Sequence, residues 1–273
     1  MEQTFDTPGA LHVEVRIPAG SIRIRAEETS QTRLSIQGER DPDDFRIVTD
    51  DLPGGGHHLT IEHRERVKRF GWRGTELRVN LTVPLGTLLI SDTGSADLEV
   101  TGRIGAITFR SGSGGCRFHN VDGDVSVKVA SGDVTGASVG GGLSYASASG
   151  DVRIRQVVGD VVGKGVSGDV SLGTVGGSVR FVTVSGDVVI GSVAVGSTSI
   201  NSVSGDVEVG VARDTRVYLD IHSASGDTAC DLDMTDSDGG AGGPDLELQV
   251  GSVSGDIRVV RSSGTTITAN AER

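Results

Sequence analysis

The sequence predicts an all-β fold, a single-stranded parallel β-solenoid with an N-terminal β cap. Three observations predict it: a fixed period, an alternating apolar pattern within each period, and a composition of turn and strand formers. Ser-Gly-Asp-Val begins at Ser131, Ser149, Ser167 and Ser185, 18 residues apart, and recurs at Ser204. Looser copies begin at Ser225 and Ser254. A fixed period of this kind marks an architecture whose repeats stack on their neighbours. Of 273 residues, 42 are glycine and only 3% are aromatic, which suits tight turns around a narrow core.

Counting each Ser as position 1, apolar columns fall at positions 4, 6, 9, 13, 15 and 18. Position 4 holds Val134, Val152, Val170 and Val188; position 6 holds Gly136, Ile154, Leu172 and Ile190; position 9 holds Val139, Val157, Val175 and Val193. The second half reads Leu143, Val161 and Val179, then Tyr145 and Phe181, then Ala148, Val166 and Val184. The pattern therefore reads as a nonapeptide used twice per 18-residue coil, giving two strands and two turns. Alternation with β-branched enrichment predicts the strands. The glycine before each strand supplies a turn conformation that a Cβ would obstruct. Apolar columns six apart, which a hexapeptide helix requires, are missing at positions 10 and 16. The crossover rule favours a right-handed coil.

Taken in order, residues 1–90 read as an N-terminal β-strand cap continuous with the solenoid. Leu11, Val13, Val15 and Ile17, then Ile22 and Ile24, alternate in the manner of hairpin strands, and Ala19-Gly20-Ser21-Ile22 resembles the later turns. Further strands are predicted at FRIVT, HLTIEHR and ELRVNLTVPLG. A cap is expected because an end coil otherwise presents unpaired edges. Residues 91–273 read as the parallel solenoid, its turns starting at Thr93-Gly94-Ser95 and Ser111-Gly112-Ser113. An Asp- and Gly-rich loop is expected at about 235–244, after which a last Ser-Gly-Asp-Ile-Arg-Val-Val closes the stack. Residues 262–273 read as a terminal strand or a tail.

The opening FDTPGALHVEVRIPAGSIRIRA, the FGWRGTELRVNLTVPLGT step and the serial SGDV turns resemble a bacterial putative-adhesin family long known as a domain of unknown function. The likeness covers nearly the whole chain. It implies a parallel β-solenoid without established catalytic residues, and a link to the cell envelope and its stress responses.

The net charge of −12 disfavours nonspecific nucleic-acid binding, which needs phosphate-neutralising Lys and Arg. Cys116 and Cys230 are expected as free thiols. The start has no basic n-region followed by an apolar stretch, and no run reaches membrane-spanning length, so a cytoplasmic protein is expected.

The column Asp133, Asp151, Asp169, Asp187 and Asp206 is the first candidate for chemistry. In register, these carboxylates stand about 4.8 Å apart. The expectation is that each accepts a turn N–H, as Asx motifs do. A Ca²⁺-binding β-roll uses G-G-x-G-x-D, whereas one glycine precedes each Asp here. Asp231, Asp233, Asp236 and Asp238 lack the spacing and closing Glu of an EF-hand and read as a solvated loop. His57, His58 and His63 lack a second ligand cluster and read as polar residues near a hairpin turn. Neither a metal nor a cofactor is expected.

The remaining irregular feature is HRERVKRFGWRGTELR, basic and aromatic in an acidic chain. Arg66, Lys68, Arg69, Phe70, Trp72 and Arg73 are the candidate contacts to an anionic membrane surface or an acidic partner. The alternative is that Phe70 and Trp72 plug the solenoid end, with the charges solvated. Together these features predict a non-catalytic scaffold or interaction module with a protein partner, and self-association is open to it. The alternatives are a filament-forming scaffold of the bactofilin type and a carbohydrate-binding or carbohydrate-active β-helix. The serines offer no G-x-S-x-G elbow, and they sit where the turns already require them.

Overall fold

The computed structural model describes residues 1–38, 44–53, 55–64, 77–232 and 245–262. Its regular elements are β-strands, and no α-helix occurs among the described residues. The fold is a parallel β-solenoid with an N-terminal β cap. By internal packing the chain divides into two compact units, Met1–Thr135 and Gly136–Arg273.

The first unit holds β1 (Glu2–Asp6), β2 (Leu11–Glu27), β3 (Gln31–Gln37), β4 (Phe45–Asp51) and β5 (His57–His63). It continues through β6 (Arg78–Pro84), β7 (Leu88–Ile104), β8 (Ala106–Ser111), β9 (Cys116–Val121) and β10 (Val125–Ser131). The hairpin expected from Leu11 to Ile24 is instead a full solenoid coil. β2 bends at Pro18-Ala19-Gly20 without reversing, and it runs parallel to β7 from His12↔Leu88 to Arg25↔Thr101. Both halves bury the alternating residues, Leu11 to Ile17 and then Ile22 and Ile24, so alternation alone could not separate a bent strand from a hairpin.

The opposite edge of β2 is covered by β5 and β6, again in parallel. β5 and β6 thus lie on the far side of β2 from β7, and stacking order departs from chain order. The cap consists of antiparallel additions to this coil, namely β1 on β3, β3 on β6, and β4 on β5. Antiparallel strands end a parallel ladder by occupying its free hydrogen-bonding edge.

The regular coils run through β11 (Val134–Val139), β12 (Leu143–Ser149), β13 (Val152–Val157), β14 (Val161–Ser167), β15 (Val170–Val175) and β16 (Val179–Ser185). After these come β17 (Val188–Val193), β18 (Gly196–Ser204), β19 (Val207–Val211), β20 (Val217–Ser225), β21 (Thr228–Cys230), β22 (Leu246–Ser254) and β23 (Ile257–Arg261). From β12 to β18 the strands pair in register one coil on, as Val152↔Val170 and Val170↔Val188 do, and β17 pairs with β19 with a shift between Ile190 and Val193. The columns at positions 4, 6, 9, 13 and 15 point inward and are buried. Burying one such Val, Leu or Ile side chain contributes about 1.5–3 kcal/mol relative to exposure.

Position 18 differs from the sequence reading. Val179, Phe181 and Thr183 alternate inward along β16, which leaves Val184 outside. The two halves of a coil are therefore not equivalent. The first bends between its second and third inward residues, as from Ile154 to Val157, whereas the second stays straight. In two coils the third inward place holds a hydroxyl that reaches a corner carbonyl: Ser147 donates to that of Ser149 at 3.1 Å, and Thr183 to that of Ser185 at 3.4 Å, whereas β10 has Val129 there and β14 has Gly165. A buried hydroxyl at this place satisfies a corner carbonyl that a valine would not.

Column 15 alternates in size from coil to coil, with Tyr145, Gly163 and Phe181. A Cβ on Gly163 would lie 2.0 Å from Cε2 of Phe181, so this glycine makes room for the aromatic ring of the next coil.

The expected order of the last coils is also corrected. β22 pairs in parallel with β18 on one edge and with β20 on the other. β23 likewise lies between β19 and β21. The coil ending in Ser-Gly-Asp-Ile does not close the stack; it inserts between two coils that precede it in sequence. A guanidinium fork fixes its entry, with Arg216 Nη2 at 3.0 Å from Asp245 Oδ1 and Nε at 3.2 Å from Oδ2. Equal spacing of turns carries no record of which coil stacks on which, so the sequence could not reveal the insertion. The loop expected at 235–244 and the segment 263–273 lie outside the described residues.

Candidate functional site

Two ladders run along the Ser-Gly-Asp corner of the second unit. In the first, the backbone N–H of each Asp donates to Oδ1 of the Asp one coil before. Asp169 donates to Asp151 at 3.0 Å, Asp187 to Asp169 at 3.0 Å and Asp206 to Asp187 at 2.9 Å. The ladder follows the stack and not the chain, since Asp256 then donates to Asp206 and Asp227 to Asp256. The same Asp residues return their carbonyls to the preceding coil: Val152, Val170 and Val188 donate to Asp169, Asp187 and Asp206 at 2.8, 2.8 and 2.9 Å.

The turn glycine is required by this close approach. Gly168 has φ 118°, and a Cβ there would lie 2.3 Å from the Gly150 carbonyl oxygen. The carboxylates thus accept turn N–H groups, as expected, but the donor belongs to the next coil. Asp151 is held below the ordinary carboxylate range, first by the Asp169 N–H and then by Arg153, whose Nη2 lies 2.8 Å from Asp151 Oδ2.

Beside it runs the second ladder, the outward column of Ala148, Val166, Val184, Val203, Val253 and Ala224 in stacking order. Its valines are 51%, 46%, 47% and 55% exposed, respectively. Val162 and Val182 face outward from the same sheet and are also exposed. Successive members stand about 4.8 Å apart. The sequence reading placed Val166 and Val184 in the core. Counting alternate residues from Val179 along β16 would have placed Val184 outside.

The remaining candidates are dispersed. His57 Nδ1 lies 3.1 Å from Asp51 Oδ1, His58 Nε2 lies 3.7 Å from Glu14 Oε2, and His63 stands edge-on to Phe45. No group of three or more His, Cys, Asp or Glu that could hold a metal occurs among the described residues. Cys116 is buried and Cys230 half-buried, both as free thiols. Asp231 is described and exposed, whereas Asp233, Asp236 and Asp238 lie outside the described residues. So do Arg66, Lys68, Arg69, Phe70, Trp72 and Arg73. No helix among the described residues is long and apolar enough to cross a membrane.

In-register coils with repeated outward ladders define a β-solenoid repeat protein that displays sheet faces. The chain belongs to the Toastrack DUF4097 family, whose model matches residues 11–266. A structure described as a putative adhesin from Bacteroides fragilis is 15% identical, covers 95% of this chain and 96% of its own, and superposes with a TM-score of 0.50. One described as a putative lipid binding protein from Parabacteroides distasonis is 16% identical over 96% of each chain, with a TM-score of 0.44. Likeness at this level of identity concerns the fold. No curated protein matches the chain.

Proposed function

We propose that this protein is a non-catalytic, adhesin-like interaction scaffold linked to the cell envelope. The exposed column of Val166, Val184, Val203 and Val253 carries the proposal. A contiguous apolar stripe on a regular sheet face is the kind of surface that docks a partner. The adhesin description of the similar Bacteroides fragilis structure is in line with this reading. The carboxylates of the corner are engaged in holding coils together. Asp151 and Asp245 are shifted downward, opposite to the raised value that a general acid needs.

Fractionation of bacteria expressing the tagged chain, at low and high salt, tests the proposal. Association with the envelope fraction that survives high salt is expected, because apolar contact is not screened. Release by salt would assign the association to charges, with Arg66, Lys68, Arg69 and Arg73 beside Phe70 and Trp72 as the proposed contacts. Recovery wholly in the soluble fraction would overturn the envelope link.

A further inference from the structure

A groove of about 700 Å³ lies on the outer face of the first unit, over β1, β3, β6, β2 and β7. Leu34, Leu81 and Ile24 face the core beneath it, so their neighbours in each strand face out. Two outward rows cross these strands in register. One runs Glu2, Ser35, Asn80, Arg23 and Glu99, and in it Arg23 Nε lies 3.4 Å from Glu99 Oε2. The other runs Thr4, Arg33, Thr82, Arg25 and Thr101. This second row contains no carboxylate. Arg33 and Arg25 flank Thr82 across adjacent strands, their backbones about 10 Å apart. The only carboxylate beside Arg25 in the described ion pairs is Glu27, on its own strand at 3.6 Å, with Arg25 74% exposed.

In a chain of net charge −12, the groove is lined by three arginines, Arg23, Arg25 and Arg33, against two glutamates, Glu2 and Glu99, a local positive excess among its lining residues. Guanidinium groups match carboxylate, sulfate and phosphate oxygens through paired N–H donors, and flanking hydroxyls add further donors. We propose that this groove binds an oxyanion carried on an extended polar chain, an acidic polysaccharide, with Arg25 and Arg33 holding the anionic group over Thr82. The threonine, serine and asparagine side chains of both rows would meet sugar hydroxyls. The site is independent of the valine column, which belongs to the second unit.

The test is titration of the full chain with a fluorescent sulfated oligosaccharide at low salt, with unlabelled oligosaccharide and inorganic sulfate as competitors. Saturable binding is expected, weakened about tenfold by Arg33→Gln or by Arg25→Gln, since each removes a charged hydrogen-bonding partner. Arg23→Gln, at an arginine of the other row, in register with Asn80 and not with Thr82, should change binding less than threefold. All three positions are exposed, so melting temperatures should match the wild type and separate lost binding from lost folding. Competition by millimolar sulfate would support the oxyanion as the recognised group. Failure of sulfate to compete while the oligosaccharide does would support the carrying chain as a required part of the ligand. No saturable binding, or equal binding by the Arg25→Gln/Arg33→Gln double variant, would overturn the proposal.

Discussion

Asp151 and Asp169 are joined through both the side chain of one and the backbone of the other. The Asp169 N–H donates to Asp151 Oδ1 at 3.0 Å, and the Asp169 carbonyl accepts from Val152 N–H at 2.8 Å. Repetition of this link makes each Ser-Gly-Asp corner a clamp on its neighbour. The acidic column is thereby explained as structure, with no ion needed to hold it.

The clamp depends first on an acceptor oxygen, and ionisation adds to it where the carboxyl is held low, as at Asp151. Asp169→Asn should preserve the bond from Asp187 N–H, whereas Asp169→Ala removes its partner. Urea unfolding should therefore find the alanine variant less stable than the asparagine variant by about 1 kcal/mol. Equal stabilities would mean that the ladder contributes nothing. By the same reasoning EDTA should leave the melting temperature unchanged; a large drop restored by Ca²⁺ would contradict the clamp.

Asp151 gives the clamp a pH dependence. Its carboxyl is held below the ordinary value, chiefly by the Asp169 N–H. A depressed native value means that the stabilisation is present above the unfolded value of about 3.9 and fades as pH falls through the native one. In melting scans, wild type should lose more stability than Asp151→Asn as pH is lowered below about 4. Parallel curves would show that Asp151 is not linked to folding.

Burial pushes the Cys116 thiol up to about 12, while Cys230 is half-buried. At neutral pH a maleimide should label the native protein at Cys230 and reach Cys116 only after unfolding. Equal labelling rates at both would contradict the placement of Cys116 in the core.

Gly163 and Phe181 form a size-matched pair across two coils. Gly163→Ala should cost about 1–3 kcal/mol through overpacking. In a Phe181→Leu background the same change should cost less, because the ring that the methyl group meets is gone. An equal cost in both backgrounds would locate the strain elsewhere.

The inside and outside of the coil were legible where the strand pattern was unambiguous. Val170 reads as buried in sequence and is buried, whereas Val184 reads the same way and is exposed. The difference lies in Thr183, whose hydroxyl turns inward to reach a corner carbonyl, a demand invisible to hydropathy. Val170→Asp should accordingly cost more than about 3 kcal/mol by burying an unpaired charge, and Val184→Asp about 1 kcal/mol or less. The reverse order in urea unfolding would invert the assignment of faces.

The turn spacing revealed the solenoid and its corner carboxylates. It could not show that β2 is a coil, nor that β22 and β23 insert between earlier coils, because both are matters of pairing between distant segments. The Arg25 and Arg33 row was hidden for the same reason, since only the register of β3, β6 and β2 brings those residues to one groove.

The valine column is proposed to dock the chain on the envelope. Co-sedimentation of the purified full chain with isolated bacterial envelopes, wild type beside the Val166→Ser/Val184→Ser/Val203→Ser triple variant, tests it most directly. Melting curves of both proteins are the control for folding. The account predicts matching melting temperatures within a few degrees and roughly tenfold weaker binding by the variant, as expected when about 2 kcal/mol or less of apolar contact is lost. Undiminished binding by a folded triple variant would contradict it.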